Sequence, residues 1–140
     1  MARGSSDGDF WVPLAEKAFA KLFGTYASMN GGNSEEVWRL INGAPSQTFN
    51  PKTYMSDSLK LFKIFQDAFK KEFLIVIAMS SQSLGLYSGH AYALVGAYEL
   101  KDKSGNVVHR LVRIMNPHGS DGNYYGAWRD SDPRWKDFKT

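Results

Sequence analysis

His90 and Asn116 are the two side chains whose types best suit acid–base chemistry. A histidine working as a general base near neutral pH needs its second ring nitrogen held by an acceptor, which fixes the tautomer and the ring plane. An asparagine carbonyl does this without adding a charge. A neutral orienter suffices where a thiolate–imidazolium pair already carries the charge, as in Cys-His-Asn sites. The strand pattern draws the two residues together. Residues 91–100 and 107–115 read as β-branched, apolar strands, separated by the turn Asp102-Lys103-Ser104-Gly105-Asn106. In an antiparallel hairpin, a turn centred near residue 104 pairs positions whose numbers add to about 207. Positions 90 and 116 add to 206. Gly89 would let a substrate or loop approach closely, while Pro117 and Gly119 would fix the turn that aims Asn116. The plain alternative is a surface histidine at a strand start and an ordinary Asn-Pro turn.

The elements that must carry this pair follow from periodicity. Trp11, Leu14, Ala15, Ala18, Phe19 and Leu22 recur at helical spacing, with Asp9 as a candidate cap, Pro13 in the first turn and Gly24 as a stop. A second, short helix follows Asn30-Gly31-Gly32-Asn33, capped by Asn33 or Ser34 and ended by Gly43. Residues 44–56, with Pro45 and Pro51, read as loop. A third helix spans about Asp57 to Lys71, with Leu61, Ile64, Phe65, Ala68 and Phe69 on its apolar face. Glu72 to Ser80 reads as a buried strand and Ser81 to Gly89 as a polar loop. Beyond Asn116 the chain reads as an irregular tail whose Tyr124, Tyr125, Trp128 and Trp135 pack back on the sheet. Helices first and strands after imply an α+β fold.

Composition narrows the function. The chain has 140 residues, of which 43% are hydrophobic, enough for one domain with a core. Residues 1–8 are polar and Gly/Ser-rich, a flexible end or an expression remnant, and show no signal peptide. There is no cysteine, which excludes disulfides, thiolate zinc sites and a thiol nucleophile within this chain. It also fits a reducing, cytoplasmic compartment. The net charge of +3 is mild and the basic residues are dispersed, so a nucleic-acid partner is not expected. The apolar run Phe73–Met79 is far short of the roughly 20 residues a membrane-spanning helix needs. His90, His109 and His118 match no zinc spacing, and a solvent-facing position mid-strand accounts for His109. Ser80, Ser81 and Ser83 lie near His90 but in no nucleophile-elbow motif.

Four segments, in order, resemble the calpain family. Asp9-Phe10-Trp11-Val12-Pro13-Leu14-Ala15-Glu16-Lys17-Ala18-Phe19-Ala20-Lys21-Leu22 is similar to the helix opening the second half of that family's protease core. Ser88-Gly89-His90-Ala91-Tyr92-Ala93-Leu94 resembles the strand bearing the catalytic histidine, and Arg113-Ile114-Met115-Asn116-Pro117-His118-Gly119 the segment bearing the catalytic asparagine. Gly126-Ala127-Trp128-Arg129-Asp130 and Pro133-Arg134-Trp135 are similar to the tryptophan-rich stretch that follows. The resemblance covers residues 9–135. It implies a papain-like cysteine protease core, of which residues 9–140 are the second, barrel-like subdomain, ending before the family's last strands. His90 is then the general base and acid, and Asn116 its orienter. The nucleophilic cysteine and an oxyanion-stabilising glutamine would come from a partner subdomain outside this chain. A protein or peptide would be the substrate, with Gly89, His118 and the loop 81–89 lining its cleft. Alone, the chain would have no peptidase activity.

The resemblance has two departures. His118 stands where the family has a tryptophan that covers the Asn–His contact. The family's second subdomain also holds calcium through acidic residues just past the asparagine. Asp130 matches one ligand position, but Asn123 stands in place of a glutamate, and further ligands would lie beyond Thr140. Asp121 and Asp132 offer additional oxygens. These departures motivate a rival expectation: a calpain-like protein without catalysis that serves as a binding or scaffolding module.

Overall fold

A computed structural model describes residues 8–118 and 124–138. The chain divides into two compact units, Met1–Thr48 and Phe49–Thr140.

The first unit is helical. Helix α1 spans Trp11–Leu22. Its N-cap is Phe10 rather than Asp9, and no side chain caps it. Pro13 explains why none is needed at the third position: proline brings no N–H there to be satisfied. Helix α2 spans Ser34–Asn42 and starts as the sequence suggests, with the Asn33 side chain accepting the Glu35 N–H at 3.0 Å. Gly43 closes it in the left-handed conformation (φ 66°), its N–H reaching Arg39 O at 3.0 Å.

The second unit carries the sheet. Within the stretch read as loop, Pro51–Tyr54 form a 3-10 turn, with Pro51 in the first turn and the Asn50 side chain accepting the Lys52 N–H. Helix α3 spans Ser58–Lys70, capped by Asp57, which accepts the Lys60 N–H at 3.0 Å. Strands β1 (Ile75–Met79), β2 (His90–Lys101) and β3 (Val107–Met115) form an antiparallel sheet in the order β1-β2-β3. The fold is α+β, as expected. β1 is shorter than the run that announced it, because Glu72 leaves α3 in a left-handed conformation (φ 57°) and Phe73 N–H still bonds Ala68 O. α3 packs on β2, and among the described residues of this unit the buried apolar side chains are Phe62, Tyr92 and Leu94. Full burial of a Phe or Leu stabilises by about 1.5–3 kcal/mol.

Two register shifts mark the β2–β3 ladder, between Leu94 and Gly96 and between Leu100 and Lys101. Gly96 is buried at the first, and the Tyr98 ring lies where a β-carbon on Gly96 would be. The hairpin turn is organised by Asp102, whose carboxylate accepts the N–H groups of Ser104 and Asn106, each at 2.9 Å. These bonds, the Asn106 N–H first, hold the Asp102 carboxyl below its ordinary value.

The tail is more ordered than its glycines and prolines suggest. Pro133–Phe138 form a 3-10 helix. Trp128 and Trp135 meet edge to face at 4.9 Å, with Phe138 alongside Trp128 at 5.8 Å. His109 of β3 is exposed, as expected, and its ring also packs on Trp128 at 4.9 Å and on Phe138 at 5.9 Å. The expectation that the aromatic tail packs back on the sheet therefore holds for Trp128. Tyr125 instead stays 64% exposed.

Candidate active site

His90 opens β2, and its backbone pairs with Met79 at the end of β1. The loop between these strands is a small hairpin of its own. Ser83 and Leu86 exchange both backbone hydrogen bonds around Leu84 and Gly85, which have φ of 50° and 87°. Such a two-residue turn requires left-handed conformations at both central positions. Gly89, also left-handed (φ 65°), donates its N–H to Met79 O at 2.8 Å. That conformation, which glycine adopts without cost, steers the chain from the loop into His90.

Asn116 follows directly on β3. In the β2–β3 register Ala93 faces Met115, so the next pair in the same register sets Asn116 opposite Tyr92. His90 lies two residues before Tyr92, on the same face of the strand. A diagonal neighbour of this kind is within side-chain reach. The contact is made: His90 Nε2 and Asn116 Oδ1 are 2.9 Å apart, both residues half-buried.

A second bond fixes the chemistry of that contact. The backbone N–H of His118 donates to the same Asn116 Oδ1 at 3.1 Å. A backbone N–H can only donate, so the asparagine atom it meets is the carbonyl oxygen. His90 Nε2 must then carry a proton to bond that oxygen. In the neutral ring the lone pair sits on Nδ1, away from Asn116.

The His90 ring is bracketed by three others. Tyr92, 2% exposed, presents an edge-to-face contact at 4.7 Å, and Tyr87 a looser one at 6.3 Å. The Tyr92 hydroxyl accepts the Tyr87 N–H at 2.9 Å, tying the loop to the strand behind His90. The His118 ring lies on His90 at 4.5 Å between centroids, tilted by 40°. The Asn116 turn thus returns the chain so that the side chain of residue 118 covers His90. Tyr92 was not singled out in the sequence, although its alternation with His90 and Leu94 along β2 was the available signal.

Gly89 and His118, read from the sequence as cleft residues, both lie against His90. The proposed calcium positions do not form a site among the described residues. Asp130 is exposed, and Asn123 and Asp121 lie outside the described residues. Asp132 is committed elsewhere. Its carboxylate accepts the Trp128 N–H at 2.7 Å, the Arg134 N–H at 3.0 Å and the Arg134 guanidinium at 2.8 Å from Nε. The guanidinium chiefly holds this carboxyl well below the ordinary carboxylate range. Asp132 therefore organises the tail. Trp128, held at φ 65°, takes the Arg134 guanidinium over its ring at 5.0 Å. Among the described residues no three His, Cys, Asp or Glu side chains gather to hold a metal.

Comparison with known proteins decides the ancestry of this arrangement. The family described as calpain family cysteine protease matches residues 1–140. The chain belongs to the calpain family. Human Calpain-12 is 35% identical over 146 residues, covering 100% of this chain and 20% of its own length. The Calpain-2 catalytic subunit of Homo sapiens is 34% identical, covering 94% and 19%, and Calpain-5 of Caenorhabditis elegans 30% identical, covering 97% and 25%. The chain thus spans a fifth to a quarter of the length of these calpains. Among its described residues no helix is long and apolar enough to cross a membrane.

Proposed function

We propose that this calpain-family chain is the His/Asn-bearing half of a cysteine endopeptidase active site. The observation that supports it most is the 2.9 Å bond from His90 Nε2 to Asn116 Oδ1, which leaves the lone pair on Nδ1. In this reading a cysteine thiol from a separate, cysteine-bearing subdomain gives its proton to Nδ1. The thiolate then attacks the substrate carbonyl, and the imidazolium protonates the departing amine. Asn116 keeps the ring plane and tautomer through both steps. Gly89 and His118 flank the peptide substrate. The chain alone is inactive, because it has no cysteine to form the acyl-enzyme. Calcium dependence is then a property of the whole protein, with a ligand set other than the described residues of this chain. A cytoplasmic location is part of the same proposal.

The test is labelling of the full-length parent by a thiol-directed electrophile, with and without calcium, beside its His90→Ala variant. Active-site labelling that requires His90 supports the reading. An unlabelled, well-folded parent supports the rival one, a binding or scaffolding module. That rival draws on the His118 ring, which occupies the space over His90 with a polar group.

A further inference from the structure

The sequence separates its histidines by spacings that fit no metal motif, but the fold places two of them side by side and the third elsewhere. His90 and His118 have ring centroids 4.5 Å apart, whereas His109 packs against Trp128 and Phe138. We propose that His90 and His118 together chelate a divalent transition cation of the Zn2+ class, and that this cation blocks the general base. The inference rests on the reading of His90 given above for its consequence, but not for its binding.

Three observations carry it. First, Asn116 holds His90 by Nε2–H, which leaves the Nδ1 lone pair outside that bond. A metal-binding imidazole is normally held in just this way, with its other N–H donated to a fixed oxygen acceptor. Second, the separation suits a shared ion. A zinc ion about 2.1 Å from an imidazole nitrogen lies roughly 3.2 Å from the ring centre. Two such ligands with centres 4.5 Å apart meet at the metal at an angle of about 90° once the His118 ring turns from its 40° tilt on His90 so that both in-plane lone pairs point at one ion. Third, His118 is exposed and free to make that rotation about its side-chain bonds, while the half-buried His90 stays fixed. Imidazole pairs suit zinc, copper and nickel rather than calcium or magnesium. In the isolated chain, water completes the coordination. In the assembled protease the nucleophilic thiolate becomes a further ligand, and the same cation then ties up nucleophile and base together.

The binding test uses the 140-residue chain and Zn2+ alone, followed through the imidazole resonances of its three histidines. His90 and His118 signals should move together on one binding curve, with His109 as an internal control that does not move. His118→Phe keeps a ring over His90 but removes the ligand, and should weaken Zn2+ binding by at least the 10- to 100-fold, roughly, that loss of an outer-shell partner costs. His118→Asn serves the same purpose should the phenylalanine disturb the fold. Equal affinity in the folded variant, or a parallel response of His109, overturns the site. In the parent, Zn2+ should slow thiol labelling, a chelator should restore it, and the His118→Phe parent should lose that sensitivity. A variant as sensitive as the wild type overturns the regulatory role. Zn2+ binding by the chain together with an unlabelled parent would leave the metal site standing and sink the protease reading instead.

Discussion

Asn116→Ala is the perturbation that bears most directly on the proposed role of this hairpin. The substitution removes one oxygen and with it two hydrogen bonds, from His90 Nε2–H at 2.9 Å and from the His118 N–H at 3.1 Å. A neutral hydrogen bond contributes about 0.5–1.5 kcal/mol net, and Asn116 is only half-buried, which favours the lower part of that range. Together the two bonds hold the imidazole in its working orientation by about 1–2 kcal/mol. At about 1.4 kcal/mol per factor of ten, the thiol-labelling rate of the parent should fall roughly 5- to 30-fold. The isolated 140-residue chain should lose no more than the same 1–2 kcal/mol or so in a denaturant melt. A labelling rate within twofold of wild type, from folded protein, would refute the claim that Asn116 orients the base. A stability loss beyond about 3 kcal/mol would refute it differently, by making the residue a structural one.

Other outcomes test the surrounding architecture. Gly96→Ala should displace the Tyr98 ring and destabilise the chain by about 1–3 kcal/mol, and in the Tyr98→Ala background the same change should cost clearly less in a denaturant-melt double-mutant cycle. Leu84→Asn should stabilise by up to about 1 kcal/mol in thermal melts, since asparagine tolerates the φ of 50° that leucine disfavours. The Asp132 carboxyl is held below its ordinary value of 3.8, so the unfolded chain takes up its proton first as pH falls. Its contribution is therefore fully present above about pH 4 and is lost as pH drops well below that value. Tryptophan fluorescence should report loosening of the tail only in that acid range, and Asp132→Asn should loosen it already at neutral pH and flatten the acid response.

Legibility in the sequence differed by element, for physical reasons. Asn33 and Gly43 act locally, through one turn of backbone, and their roles could be read directly. The meeting of His90 with Asn116 was also legible, but by a slightly different route. Simple pairing about residue 104 sets them face to face. The pair at the turn, Lys101 with Val107, instead adds to 208, the two register shifts cancel before Ala93 meets Met115, and Asn116 therefore stands opposite Tyr92 and reaches His90 on the diagonal. The role of Asp132 was not legible, because an acidic residue in a loop looks alike in sequence whether it offers oxygens to a metal or to arginine. Only the fold shows Arg134 and the Trp128 N–H already on its oxygens. His109 is exposed, as read, but alternation gives only the face of a strand and not the tryptophan that arrives there from 19 residues on.

The hairpin that joins His90 to Asn116 also has a kinetic consequence. All the residues between them belong to two adjacent strands and one tight turn, so the contact closes a short loop rather than a long one. Contacts of low sequence separation form early, and isolated hairpins zip in about 1–10 μs. The pair that this reading makes half of an active site is therefore among the first long side-chain contacts the nascent chain can make. Its assembly needs neither the helices before it nor the tail after it. A synthetic peptide covering residues 75–118 should accordingly show transient His90–Asn116 proximity, at a population set by how much of the sheet survives without α3.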